Sequence, residues 1–194
     1  GGAERVARRI LVVIRKVTAE AVTAVDGAGA GGHQQGATLV LAQDAGAAGV
    51  DGMIVVDLPP EASKPLTDAF AKVGIDCIFL IAPTTKTARI DKIAQAARGY
   101  LYYVSVKGVT GAGHLDVEEV NQKLETIRKI TDLPITVGFG IKDAATARLV
   151  GQNADGVVVG SALVNLMAQH QKDLPTLQAR IAELMQSLRQ GLDQ

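Results

Sequence analysis

Three glycine-bearing stretches hold residue types that could grip a phosphate or close over a small substrate. The first is "YYVSVKGVTGAG", Tyr102 to Gly113, where an apolar run enters a loop with one lysine and one threonine. It is not a P-loop, because Lys107 precedes the first glycine instead of following the last. Gly108, Gly111 and Gly113 instead read as hinges of a loop that opens and closes. Thr110 sits at its middle, where its hydroxyl could orient a ligand or simply face solvent in a turn. The second stretch, "ITVGFGIKD", carries Gly138 and Gly140, and the third, "DGVVVGSALV", carries Gly160 and Ser161. Glycine lets a ligand approach the backbone closely, and a helix N-terminus adds free N–H donors and a favourable dipole. Ser161 could supply a further hydroxyl bond or act as an N-cap. The competing reading is two tight strand-to-helix turns with no ligand.

Acid–base chemistry would need carboxylates at strand ends, and only Asp26 and Asp57 qualify. Asp57 opens "DLPPE", where Pro59 and Pro60 fix a rigid turn, so shaping that turn is its favoured role over catalysis. Of the three tyrosines, strand alternation sets Tyr102 on the face opposite its neighbours, where one hydroxyl can reach the mouth of a site. Core packing suits Tyr100 and Tyr103. His33, His114 and His170 lack ligand spacing to a cysteine or carboxylate, and no metal site is expected.

The elements that must position these residues follow from apolar patterning. Strands are expected at Ala21–Val25, Gly52–Asp57, Asp76–Ile81, Leu101–Ser105, Ile135–Gly138 and Gly156–Gly160, with a helix over Glu4–Lys16 before the first. Ile90, Ile93, Ala94 and Ala97 have helical spacing, as do Val117, Val120, Leu124 and Ile127 after an Asp116/Glu119 capping box. Leu177, Ile181, Leu184 and Leu188 form a last stripe, with Pro175 suited to the first turn. The run "DGAGAGGHQQG", Asp26 to Gly36, reads as a loop. Continuously apolar strands such as "GMIVV" and "GVVVG" mark a parallel sheet joined by crossover helices. Six strands are visible where a (β/α)8 TIM barrel has eight, so the expectation is a single partial barrel domain over residues 1–194 with about six of eight βα units. An open doubly wound sheet is the alternative. The barrel is favoured because glycines end the two late strands, where barrels bind phosphate.

Composition narrows the classes further. The 194 residues are 47% hydrophobic, and 20 basic residues balance 20 acidic ones at a pI near 7.0, which argues against nucleic-acid or anionic-membrane partners. No apolar run approaches a membrane span, no leader is recognisable, and the one cysteine, Cys77, lies in the apolar "IDCIFLI". A buried reduced thiol and a cytoplasmic address are expected. The start, Gly-Gly-Ala-Glu without Met, suggests a fragment.

"GVDGMIVVDLPPEAS", "CIFLIAPTT", "GYLYYVSVKGVTGA", "DLPITVGFGIKD" and "ADGVVVGSALV" together resemble the tryptophan synthase alpha chain family over about Ala42 to Met167. The resemblance implies a (β/α)8 barrel that cleaves indole-3-glycerol phosphate to indole and glyceraldehyde 3-phosphate. It also implies a partner beta chain in an α2β2 assembly, with pyridoxal phosphate held by that partner and no cofactor in this chain. By position, Gly111, Phe139, Gly140, Gly160 and Ser161 would hold the substrate phosphate or line its pocket. Tyr102 matches a tyrosine beside the family's catalytic glutamate, and Thr110 the loop threonine that meets a substrate-binding aspartate. Asp57 and Pro59 match a segment near the beta-chain face. The glutamate and the aspartate belong to the family's first two strands, and no residue here corresponds to either. "DGAGAGGHQQG" also departs from a tyrosine-, asparagine- and proline-containing stretch that contacts the beta chain in the family. A non-catalytic phosphate- or beta-chain-binding protein, and a different phosphosugar barrel of the epimerase or aldolase kind, remain alternatives.

Overall fold

The computed structural model describes residues 9–11, 33–56, 58–105, 117–138 and 140–193, with backbone alone for 9–11 and 33–37. Six strands lie in these segments: β1 (Arg9–Leu11), β2 (Gly52–Ile54), β3 (Asp76–Ile81), β4 (Leu101–Val104), β5 (Ile135–Gly138) and β6 (Gly156–Val158). Seven α-helices accompany them: α1 (His33–Ala47), α2 (Lys64–Lys72), α3 (Thr87–Ala96), α4 (Val117–Arg128), α5 (Ala144–Gly151), α6 (Ser161–Gln169) and α7 (Leu174–Leu192). A short 3-10 turn, Pro60–Ala62, precedes α2.

Every strand pairing is parallel, in the order β1-β6-β5-β4-β3-β2. From β2 to β6 the strands follow one another without the reversal that defines a doubly wound sheet. The first strand then lies beside the last, as barrel closure requires. One-sided packing supports the same conclusion. Cys77, Phe79 and Ile81 of β3, Leu101 and Tyr103 of β4, Ile135 and Val137 of β5, and Val157 of β6 all join one buried cluster with Ile90, Ile93, Val120, Leu124, Ile127 and Leu188 from the helices. Their alternation partners Ile78, Leu80, Tyr102, Val104, Thr136, Gly138 and Val158 stay outside that cluster, although Ile78, Thr136, Gly138 and Val158 are themselves buried. Helices therefore cover one face of the sheet, and the other face is the inside of an incomplete barrel.

Strands β3 and β5 have their expected limits, while β2, β4 and β6 end earlier than the apolar runs do. The helix expected over Glu4–Lys16 is corrected at its centre. Arg9, Ile10 and Leu11 are extended and pair with Gly156, Val157 and Val158. Ile10 opens the aliphatic run "ILVVI", and a sheet neighbour that satisfies its backbone overrides local helical spacing. The glycine-rich run is corrected at its end, because His33–Gly36 form the first turn of α1, continuous with the helix-favouring "ATLVLAQDAGA". The strand expected at Ala21–Val25 and the Asp116 cap lie outside the described residues. Of the helical stripes, Ile90, Ile93, Ala97, Val120, Leu124, Ile127 and Leu188 are buried, while Ala94, Val117, Leu177, Ile181 and Leu184 are half-buried. Pro175 sits in the first turn of α7, whose N-cap Asp173 accepts a bond from the Thr176 amide.

Cys77 is buried beneath this helical layer, and desolvation pushes its thiol up to about 11. Helices α5 and α7 meet almost backbone to backbone. A Cβ on Gly191 would lie 3.0 Å from Ala144 Cα and closer still to the Ala144 carbonyl oxygen.

At the amino ends of the strands, Asp155 forms a clamp. Its carboxylate accepts from the Ile135 amide at 2.8 Å and from the Arg128 guanidinium at 2.7 Å, tying together the approach to β6, the start of β5 and the end of α4. A partly exposed ion pair contributes about 0–1 kcal/mol. An amide stripped of its acceptor costs about 1–3 kcal/mol. The Ile135 bond is therefore the larger part of the clamp. Asp155→Ala is expected to lower unfolding free energy by about 1–3 kcal/mol in denaturant titration, and Asp155→Asn, which keeps an acceptor oxygen, by less than half of that. Equal losses in the two variants would assign the stabilisation to charge instead.

Candidate functional site

The registers of β4, β5 and β6 fix which residues reach the carboxyl ends of the strands. Tyr102, Thr136 and Gly156 form one row across the inner face, and Val104, Gly138 and Val158 form the next row toward the carboxyl end. Tyr102 is half-buried, and its ring leans over Gly138. A Cβ on Gly138 would stand 2.6 Å from Tyr102 Cζ and closer still to Cε2 and the hydroxyl oxygen. Only the missing side chain lets the phenol lie over the end of β5. Burial raises the Tyr102 hydroxyl above its ordinary value, so it is a neutral hydrogen-bonding group at neutral pH. Tyr103 points the other way into the helical layer, buried, with no hydrogen-bond partner for its hydroxyl among the described residues. Desolvation, then the nearby Glu119, push it up to about 12.

Beyond the strand ends lie two exposed turns. Gly140 follows β5 with φ of +78°, a left-handed conformation that glycine adopts without strain. Three residues on, Asp143 caps α5 by accepting from the Thr146 amide at 2.8 Å, and it also receives a very short bond from the Thr146 hydroxyl. These bonds, the hydroxyl first, hold the Asp143 carboxyl below its ordinary value of 3.8. After β6, Gly160 occupies the N-cap position of α6, and Ser161 is its first residue. Its N-cap residue gives no side-chain cap, and Ser161 stands one position inside the helix, so its hydroxyl is not the N-cap. Among the described residues, no atom lies within 4 Å of where a Gly160 Cβ would be.

The structure thus places Gly140, Gly160 and Ser161 just past the carboxyl ends of β5 and β6, and Tyr102 within β4 with its ring reaching the end of β5 at Gly138. Pro59 is exposed at the N-cap of the 3-10 turn after β2, at the same end of the sheet but with β3 and β4 between it and β5. Thr110, Gly111, Phe139, Asp57, Asp26 and His114 lie outside the described residues. Two polar groups escaped the sequence reading. Thr136 is buried on the inner face and donates to the Leu101 carbonyl at 3.4 Å, and Ser105 donates to the Gly138 carbonyl at 2.8 Å. A hydroxyl residue between a strand and a glycine loop was the only available signal for Ser105, and it named no partner.

Parallel strands in barrel order, helices packed on one face among the described residues, and glycine turns after consecutive strands define an incomplete (β/α)8 barrel. The profile of the tryptophan synthase alpha chain family matches residues 33–193, and the chain belongs to that family. It is 49% identical over 154 residues to the tryptophan synthase alpha chain of Alkalilimnicola ehrlichii, an alignment covering 79% of this chain and 56% of that one. The crystal structure of tryptophan synthase subunit alpha from Legionella pneumophila superposes with a TM-score of 0.68 at 40% identity, over 82% of this chain and 58% of that one. A structure of the tryptophan synthase α2β2 complex from Pyrococcus furiosus superposes with a TM-score of 0.66 at 29% identity, over 78% and 59%. The chain spans about half the length of the curated relatives it matches.

Two outcomes follow from this geometry. Gly138→Ala is expected to destabilise by about 1–3 kcal/mol through overpacking against the Tyr102 ring, and to do so much less in a Tyr102→Leu background. Additive effects in that double-mutant cycle would mean the ring does not rest on Gly138. For Asp143, the lowered folded-state value means its cap stabilises fully above about pH 4 and is lost as pH falls through a value below 3.8. Acid titration of Asp143→Asn should therefore show a shallower loss of stability at low pH than the parent chain.

Proposed function

We propose that the mouth formed by β4, β5 and β6 holds the phosphate of indole-3-glycerol phosphate, and that the chain serves the cleavage of this substrate to indole and glyceraldehyde 3-phosphate in tryptophan biosynthesis. The observation that carries the reading is the pair of open backbone turns on neighbouring strands: Gly140 in its left-handed conformation, and Gly160–Ser161 at the uncapped N-terminus of α6. Amides at a helix start suit a dianion through both hydrogen bonds and dipole. Gly111 and Phe139, by family position, complete the pocket. Tyr102 would lie beside the indole end, with Thr110 on the loop that covers it. Asp57 and Pro59 would face a beta-chain partner, which would carry the pyridoxal phosphate, in a cytoplasmic complex.

Cleavage at C3 of the indole needs a proton delivered to that carbon and another taken from the nitrogen. Backbone donors position a phosphorylated substrate but do not transfer protons. The two carboxylates that the family resemblance assigns to this work match no residue of the 194. The chain by itself is thus proposed to bind ligand and to turn over little or none of it.

Purified chain should gain thermal stability with glycerol phosphate or inorganic phosphate, by about 2.7 kcal/mol at a hundredfold excess over Kd. Ser161→Asp, which puts a negative charge where the anion would sit, should weaken this binding at least about tenfold yet leave the ligand-free melting temperature intact, because a first-turn acid favours a helix. Indole release, assayed with and without beta chain, should remain near background. Absence of any phosphate-dependent shift would refute the anion site, and full-length-like turnover would refute the assignment of proton transfer to residues outside this chain.

A further inference from the structure

The carbonyl of Gly138 is held twice by one residue. Ser105 directs its amide to it at 3.0 Å and its hydroxyl at 2.8 Å. The amide bond continues the β4–β5 ladder one step past the end of β4, and that alone would be ordinary sheet structure. The hydroxyl bond is the addition. A carbonyl oxygen offers two lone pairs, and here both are taken from the β4 side.

The position of this carbonyl gives the double bond its consequence. Gly138 ends β5, two residues before the left-handed Gly140, and on the face where Tyr102 leans. A peptide group is planar, so fixing its carbonyl fixes the direction in which the main chain leaves the strand. We propose that Ser105 is a positioning residue for the anion site: by occupying the Gly138 carbonyl it aims the turn that carries Gly140. This rests on the phosphate reading of the mouth given above. Ser105 touches neither substrate nor reacting atoms, and it acts through β5.

The experiment compares Ser105→Ala, Ser105→Thr and the parent chain by two readouts. Amide hydrogen exchange at Gly140 and Ile141, measured without ligand, should be faster in Ser105→Ala and close to parental in Ser105→Thr, which restores the hydroxyl. Titration with inorganic phosphate should give an affinity about five- to tenfold weaker for Ser105→Ala, as expected for one lost hydrogen bond, and within about twofold of the parent for Ser105→Thr. Melting temperatures separate positioning from general stability. A loss of binding that merely follows a lowered melting temperature, without rescue by threonine, overturns the proposal, as does unchanged exchange in Ser105→Ala. If the parent chain takes up no phosphate, the anion reading fails, while the exchange comparison still decides whether Ser105 holds the turn.

Discussion

Parallel register between β4, β5 and β6 is the constraint on which the rest of the site depends. Side chains alternate across a strand, so a slip of one residue would turn Tyr102 into the helical layer and bring Tyr103 to the inner face. The register is defended at both ends of β5 by side chains from elsewhere in the chain. At the amino end Asp155 takes the Ile135 amide, and at the carboxyl end Ser105 takes the Gly138 carbonyl. Between these two points the strand has Ile135 and Val137 buried in the helical layer. Polar bonds fix where the strand begins and ends, and apolar burial fixes which way it faces.

The same division explains how much of the molecule was legible from its sequence. Apolar patterning located β3 and β5 with their observed ends and marked the buried sides of α3 and α4, and Leu188 of α7, because burial is a local property repeated at a fixed period. Alternation likewise set Tyr102 apart from Tyr103. Glycines 140 and 160 were read as places where a ligand could approach the backbone, and the structure gives the first a left-handed conformation and the second an N-cap position. What escaped detection was long-range. Asp155 meets Ile135 across 20 positions and Ser105 meets Gly138 across 33, and neither spacing has any local signature. The extended Arg9–Leu11 is the same failure in reverse. Its conformation is set by β6, almost 150 residues away, against a local helical pattern.

Glycine has two separate duties in this chain. At Gly140 it supplies a backbone conformation, and a side chain there would be strained whatever space surrounds it. At Gly138 and Gly191 the backbone is ordinary, and what matters is absence: of a side chain under the Tyr102 ring in one case, and between α5 and α7 in the other. Asp143, which caps α5, stands only three residues beyond Gly140 and next to Ala144, the residue that Gly191 meets.

The buried thiol offers a view of this architecture from outside. Cys77 is the single cysteine of the chain, and it lies on the face of β3 that the helices cover, deprotonated only at strongly alkaline pH. A thiol-directed reagent can react at only one place, and only when the helical layer lifts from the sheet. The rate of its uptake is therefore a clock for the opening of that layer, built into the native sequence and readable without a label or a substitution.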